Sequence, residues 1–138
     1  MKKIREFENQ IFNQIFNKAK SFNESSVIDR YLVKKTSPGF YSMLDVIIED
    51  KTEDKIYGVI IVKLSSRVMK WNSVNFKLKF AKKIKNGVDK IFVIADYNRR
   101  LEDDIKVIEK REKTLKMKGF ENFKILSLTQ VGEIFKDN

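Results

Sequence analysis

The sequence predicts an α/β domain in which helices flank a mixed β-sheet, and three observations support this prediction. First, continuous apolar and β-branched runs bounded by polar residues are typical of buried strands, and they occur within 46–48, 59–62 and 90–96. Second, apolar residues recur at helical spacing over residues 2–22 and 101–118. Third, a chain of 138 residues is long enough for one domain with a hydrophobic core, and no linker or repeat divides it.

The first half of the chain predicts one helix followed by three antiparallel strands. The helix covers residues 2–22 and has an apolar stripe along one face, with Glu8 inside that stripe. Strands are predicted over Val27–Lys35, Tyr41–Ile48 and Lys55–Leu64. Because the connections between these strands are short, they favour an antiparallel meander.

The second half predicts alternating helices and strands. A helix is predicted over residues 68–86, and a short terminal helix over 129–135, with Thr129 as its cap. The strand 90–96, the helix 101–118 and the strand 123–128 form a βαβ crossover, for which we expect parallel strands. The order of elements is α-β-β-β-α-β-α-β-α, and it accounts for the whole chain, residues 1–138, as one domain.

Two residue types are missing from the chain, and their absence limits its chemistry. Without cysteine there is no disulfide framework and no thiolate nucleophile, and without histidine there is no imidazole base or ordinary zinc site. Catalysis would have to use Asp, Glu, Lys, Tyr or Ser, or a cation such as Mg²⁺ held by oxygen ligands. The sequence has no membrane-length apolar run and no signal-peptide pattern, so we expect a cytoplasmic protein without a membrane partner.

Positive charge is concentrated in one segment of the chain. The net charge is +10, and residues 65–90 account for +7 of it, with eight basic residues and one acidic residue. A localised basic patch is typical of proteins that bind nucleic acid, although a solvated lysine-rich helix has the same composition. The basic side chains expected to contact phosphates are Arg67, Lys70, Lys77, Lys79, Lys82 and Lys83.

Two charged residues flank the apolar runs of the predicted central strands. Asp45 precedes the apolar run 46–48, and Lys63 follows the run 59–62. Because charges are seldom placed on buried strands without a reason, these residues are the first candidates for chemistry. The structural alternative is that Asp45 caps a strand end or pairs with Lys63, and that Lys63 reaches water.

The order of elements and these polar residues resemble the PD-(D/E)XK nuclease superfamily, the restriction endonuclease-like fold, over roughly residues 2–130. The similarity extends to small archaeal nucleases of the Holliday-junction-resolvase type. Asp45 resembles the metal-binding aspartate of the family, Ile61-Val62-Lys63 stands where the family has acid-x-lysine, and Glu8 matches an extra N-terminal glutamate. The resemblance implies a Mg²⁺ site at Asp45 and Glu8, a catalytic Lys63 that orients the attacking water, and DNA rather than RNA as the partner.

The sequence departs from the family pattern at Ile61, which places a hydrocarbon where the second acidic ligand belongs. The loss of one ligand severely weakens a site for a hard cation. Our first hypothesis is therefore a nucleic-acid-binding domain derived from such a nuclease, with a degenerate metal site. The second is an active Mg²⁺-dependent endonuclease in which Glu8 supplies the missing ligand, or else Glu49 or Asp50 in the acidic loop predicted over residues 49–55.

A third hypothesis is a protein-interaction domain on the same fold. Phe12 and Phe16 flank the apolar stripe of the first helix and could form part of a homodimer surface. Many small nucleases of this fold type are dimers, so this feature alone does not separate the three hypotheses.

Overall fold

A computed structural model of the chain describes residues 2–24, 29–35, 44–62 and 88–135. It contains a five-stranded mixed sheet and flanking helices, which confirms the predicted α/β class. The strands are β1 (Tyr31–Lys35), β2 (Val46–Asp50), β3 (Lys55–Val62), β4 (Lys90–Ala95) and β5 (Phe123–Leu126). The described helices are α1 (Lys2–Glu24), α2 (Glu102–Met117) and a 3₁₀ helix (Leu128–Phe135). Within these ranges, neither α-helix combines the length and the apolar character needed to cross a membrane.

The sheet has the strand order β1-β2-β3-β4-β5. β1, β2 and β3 form the predicted antiparallel meander, with Lys35 opposite Val46 and Val46 opposite Val59. β3, β4 and β5 are mutually parallel, as predicted for the βαβ crossover through α2. The three parallel strands therefore end at one edge of the sheet, which we call the C-terminal edge, and β2 begins at this same edge. The predicted helix 68–86 lies outside the described residues.

The bounds of β1, β2, β4 and β5 differ from the predictions. β4 ends at Ala95 and β5 at Leu126, one and two residues before their predicted ends. The first strand begins at Tyr31, although Val27 was its predicted start, and residues 27 and 28 lie outside the described part of the chain. The second strand covers Val46–Asp50, so Asp45 precedes the strand and Asp50 belongs to it instead of to the acidic loop. The loop is therefore a tight turn over residues 51–54.

Side chains of the central strand β3 alternate between two hydrophobic clusters, one on each face of the sheet. Val59 and Ile61 lie in the cluster covered by α1 and the 3₁₀ helix, which we call the α1 face. Ile60 and Val62 lie in the cluster covered by α2, the α2 face. Helix α1 packs Ile11, Ile15 and Ala19 into the cluster on the α1 face. Helix α2 packs Ile108 and Leu115 into the cluster on the α2 face. The continuous apolar runs of the sequence thus correspond to strands buried on both sides.

Helix α1 runs antiparallel to β1, and polar contacts at both ends fix this direction. Near the end of β1, the Lys35 Nζ donates to the Asn9 Oδ1 at 2.7 Å. Near its beginning, the side-chain amide of Asn23 exchanges two hydrogen bonds with the backbone of Tyr31, each 2.9 Å long. The N-terminal part of α1, which carries Glu8, is therefore held at the C-terminal edge of the sheet.

Gly58 lies in the middle of β3 beneath two apolar side chains. A Cβ at this position would stand 2.7 Å from the Leu44 Cδ1 and 2.8 Å from the Ile91 Cδ1, and both of those side chains are buried. Leu44 directly precedes Asp45. The missing side chain at position 58 therefore lets the chain pack closely over the sheet as it enters β2.

We expect Gly58→Ala to lower the free energy of unfolding by about 1–2 kcal/mol, because the buried Leu44 and Ile91 must shift to admit the methyl group. The matched control is Gly132→Ala in the 3₁₀ helix, where the new Cβ would meet only the stem of Lys18 at an ordinary 3.9 Å. This control should be neutral or stabilising by up to about 1 kcal/mol. Urea denaturation of both variants measures the difference, and equal effects would contradict the packing argument.

Candidate functional site

Asp45 lies in a bend at the C-terminal edge, directly before β2. Its backbone N–H donates to the Val59 carbonyl at 2.8 Å, and its Oδ2 accepts the Ile61 N–H at 2.7 Å. Regular pairing of β2 with β3 stops at Val46. The carboxylate therefore takes the place of the main-chain carbonyl that a longer β2 would have offered to Ile61. This is the strand-end cap that was the structural alternative for Asp45.

Ile61 is part of the hydrophobic core of the α1 face. Only 5% of its surface is exposed, and it lies in the same cluster as Ile11, Ile15 and Ile94. A carboxylate at this position would have to lose its hydration to apolar neighbours. The position that the nuclease pattern assigns to an acidic ligand is therefore used for packing in this chain.

Glu8 lies on the face of α1 that turns towards the sheet. Its side chain is half-buried, and Ile11 and Ile15, one and two helical turns further on, are fully buried. Because the neighbouring Asn9 contacts Lys35 at the end of β1, Glu8 and Asp45 lie at the same edge of the sheet. Among the described residues there is no group of three or more acidic side chains that could hold a metal ion.

Two other acidic residues, Glu49 and Asp50, were considered as replacement ligands. They lie at the end of β2 that is farther from Asp45. Asp50 pairs with Lys55 at the beginning of β3, about 16 Å along the strand from Asp45 at the usual rise of a β-strand. The Glu49 carboxylate contacts the Lys34 ammonium at 3.1 Å on the strand next to it. The hypothesis that either residue completes a metal site with Asp45 is therefore wrong.

Asp50 instead forms a buried ion pair with Arg30. The guanidinium donates from Nε to Oδ1 at 2.9 Å and from Nη2 to Oδ2 at 3.0 Å, while the N–H groups of Thr52 and Glu53 donate to Oδ1. Burial raises the pKa of the Asp50 carboxyl, but these hydrogen bonds and the charge of Arg30 outweigh it and hold the pKa below its ordinary value of 3.8. The pair joins the start of β1 to the turn after β2.

We expect Asp50→Asn to lower the free energy of unfolding by about 3 kcal/mol near neutral pH, because Arg30 loses the charge that balances its own. Since the pKa of Asp50 is lower in the folded chain, its carboxylate contributes stability above about pH 4 and loses it as the pH falls below that value. The stability gap between the wild type and the variant should therefore narrow in acid. Urea titrations near pH 7 and near pH 3 measure this, and a gap that does not change with pH would contradict the role of the carboxylate charge.

The predicted lysine and the predicted phosphate-binding side chains lie outside the described residues. These residues are Lys63, Arg67, Lys70, Lys77, Lys79, Lys82 and Lys83. Their roles remain predictions from the sequence.

A polar cluster that sequence reasoning missed follows β4 and β5 at the C-terminal edge. The Gln130 Oε1 accepts the Tyr97 hydroxyl at 3.2 Å and the Ser127 N–H at 2.9 Å. The 3₁₀ helix begins at Leu128, one residue earlier than predicted. The Gln130 side chain caps its start by accepting the Ser127 N–H, whereas Thr129 was the predicted cap. Burial raises the pKa of Tyr97, so its hydroxyl stays protonated and can donate. The spacing Ser-x-x-Gln before an apolar run is the sequence signal for this cap.

The two aromatic residues of the proposed interaction surface lie on α1. The Phe16 side chain is 47% exposed, and its ring stacks on that of Phe12 with 6.2 Å between the centroids. Phe12 is half-buried, and the Lys35 ammonium lies 4.9 Å from its ring centroid. Homodimer formation through this surface stays a prediction.

The chain matches no known protein-family model, and no curated protein sequence shows significant similarity to it. The resemblance to the nuclease superfamily therefore depends on the pattern of elements and on the few residues named above.

The role of Asp45 can be tested by two substitutions that differ in one property. Asp45→Asn keeps an oxygen that can accept the Ile61 N–H but removes the charge, whereas Asp45→Ala removes both. If Asp45 acts as a strand cap, Asn should cost less than about 0.5 kcal/mol and Ala about 1–2 kcal/mol of unfolding free energy. Thermal or urea denaturation separates the variants, and equal losses for Asn and Ala would show that the charge is what matters.

Proposed function

We propose that this protein is a nucleic-acid-binding domain of the PD-(D/E)XK nuclease type with a degenerate metal site. One observation carries the proposal: the Asp45 carboxylate accepts a hydrogen bond from the backbone of Ile61, the residue that replaces the second acidic ligand. The two positions from which such a nuclease would hold Mg²⁺ thus form a strand cap and a piece of hydrophobic core.

The sheet is compatible with that fold. An antiparallel meander of β1, β2 and β3 continues into the parallel strands β4 and β5, and helices cover both faces. Asp45, directly before β2, is a neighbour of Ile61, near the end of β3, at the C-terminal edge. In the family pattern, the two acidic ligands would occupy these two positions and would likewise be neighbours. This arrangement supports the resemblance, and the assignment to the superfamily belongs to the proposal.

The charge distribution supports nucleic acid as the ligand. The basic segment 65–90 carries +7, while the remainder of the chain is close to balance. In the proposal, Arg67, Lys70, Lys77, Lys79, Lys82 and Lys83 neutralise phosphates, with DNA as the preferred polymer. Phosphate contacts of this kind bind without reading sequence, and they weaken steeply as salt is added.

A second candidate function is a Mg²⁺-dependent endonuclease, and one observation favours it. Glu8 and Asp45 lie at the same edge of the sheet, so both could contribute oxygen ligands there. In that case Lys63 would orient the attacking water. Burial of Ile61 is the reason that this function ranks second.

We expect the purified protein to bind labelled duplex DNA in EDTA, and its dissociation constant to rise about a thousandfold between about 50 and 200 mM salt if about six phosphates are contacted. The triple variant Lys79→Glu/Lys82→Glu/Lys83→Glu should bind more weakly and show a shallower salt dependence. Fluorescence anisotropy across a salt series gives both quantities. A flat salt response, or binding that requires Mg²⁺ and is accompanied by cleavage, would contradict the proposal.

A further inference from the structure

A groove separates α1 from the 3₁₀ helix on the α1 face of the sheet. It has a volume of about 630 Å³ and begins at the C-terminal edge, where Arg99 follows β4 and Leu128 follows β5. Clefts of about 300–1,000 Å³ are the usual size for small ligands. The groove is formed by residues outside the basic segment 65–90, so the proposed function does not yet account for it.

The groove carries unbalanced positive charge. Lys18 on α1 and Arg99 after β4 both line it and are exposed, and neither forms an ion pair within the described residues. The acidic residue of the groove, Glu133, has its carboxylate 3.3 Å from the Lys124 ammonium. The stem of Lys18 lies beside Gly132 of the 3₁₀ helix, since a Cβ at position 132 would stand 3.9 Å from it. Such a groove attracts an anion.

The groove also offers an oriented hydrogen-bond donor and an aromatic wall. Gln130 directs its side-chain oxygen to Tyr97 and Ser127, which leaves the NH₂ group of the same amide as a donor. Phe22 forms part of the opposite wall, with 37% of its surface exposed and its ring centroid 5.8 Å from that of Phe135. A fixed, partly exposed aromatic ring beside unpaired cations is the combination by which proteins hold unstacked bases and the adjoining phosphates.

We propose that this groove binds one or two nucleotides of a single-stranded nucleic acid. Lys18 and Arg99 contact the phosphates, the Gln130 amide donates to a phosphate or base oxygen, and Phe22 packs against a base. This inference rests on the proposed function, and it adds a preference for strands with an unpaired segment, such as a frayed end or a branch.

The test compares two variants with the same change in net charge. Lys18→Glu/Arg99→Glu alters the groove, and Lys110→Glu/Lys113→Glu alters two exposed lysines of α2, on the opposite face of the sheet. The probe is a labelled oligothymidine of about ten nucleotides, long enough to span a site of this type. We expect the groove variant to bind it at least about tenfold more weakly than the control variant, and Phe22→Ala to weaken binding while leaving the salt dependence unchanged.

Different outcomes separate this inference from the proposed function. A wild type that binds neither duplex nor oligothymidine overturns both. If the wild type binds both probes and the groove and control variants bind them with equal affinities, the groove is not the strand-binding site. The proposed function would then remain intact. Inorganic phosphate that displaces the strand at the strand's own affinity would assign the groove to free phosphate, and thymidine monophosphate that does so would assign it to a free mononucleotide. Either result would overturn the single-strand assignment.

A photocross-link supplies a readout of where the strand lies, and it needs only the wild-type protein, so the stability of the variants does not affect it. An oligothymidine containing 5-iodouracil, irradiated with the wild-type protein, should attach to residues 14–22 or 128–133. Mass spectrometry of the digested complex identifies the attachment site. Cross-links confined to other parts of the chain would contradict the placement of the strand in this groove.

Discussion

The hydrogen bond from the Ile61 N–H to the Asp45 carboxylate joins the entrance of β2 to the end of β3. It lies where the antiparallel half of the sheet meets the parallel half, because β3 pairs with β2 on one side and with β4 on the other. Without this carboxylate, a backbone donor in the centre of the sheet would lose its partner. This one interaction fixes how the chain enters β2 beside the end of β3.

The same hydrogen bond shows how this edge of the sheet is built without a carboxylate at position 61. In the nuclease pattern, two carboxylates share a cation and repel one another in its absence. Here one of the two positions carries Ile61, whose burial between the sheet and α1 stabilises the core by about 1.5–3 kcal/mol. The other carries a carboxylate engaged with the backbone. In the proposed function, packing and capping take the place of metal coordination at this edge, and the positive charge of the chain contacts a polyanion.

Local sequence patterns were sufficient to predict the class of fold. Apolar runs gave β2, β3 and β4, helical periodicity gave α1 and α2, and short or helical connections indicated which strands are antiparallel and which are parallel. These features depend on local composition, so they can be read without knowing the register. The cap made by Asp45 was the structural interpretation of its position, and it could be seen only once the register of β2 against β3 and the bond to Ile61 were known.

Features that depend on register could not be predicted. Asp50 was placed in a loop because acidic residues surround it, whereas its pairing with Arg30 requires knowledge that Tyr31 lies opposite Asp50. The close approach of Leu44 to Gly58 likewise depends on three strands being side by side. The groove beside Lys18 and Arg99 joins segments that are far apart in the chain, so no local pattern indicates it.

The most direct test of the central claim is a calorimetric titration of Mn²⁺ into the wild-type protein and into Asp45→Asn, with duplex DNA present. Mn²⁺ prefers the same oxygen ligands as Mg²⁺ and is the more tightly bound of the two in most such sites. A degenerate metal site predicts that neither protein binds the ion stoichiometrically and that the two titrations are the same. One equivalent of Mn²⁺ bound by the wild type and lost in Asp45→Asn would show that Asp45 is a metal ligand and would contradict the account.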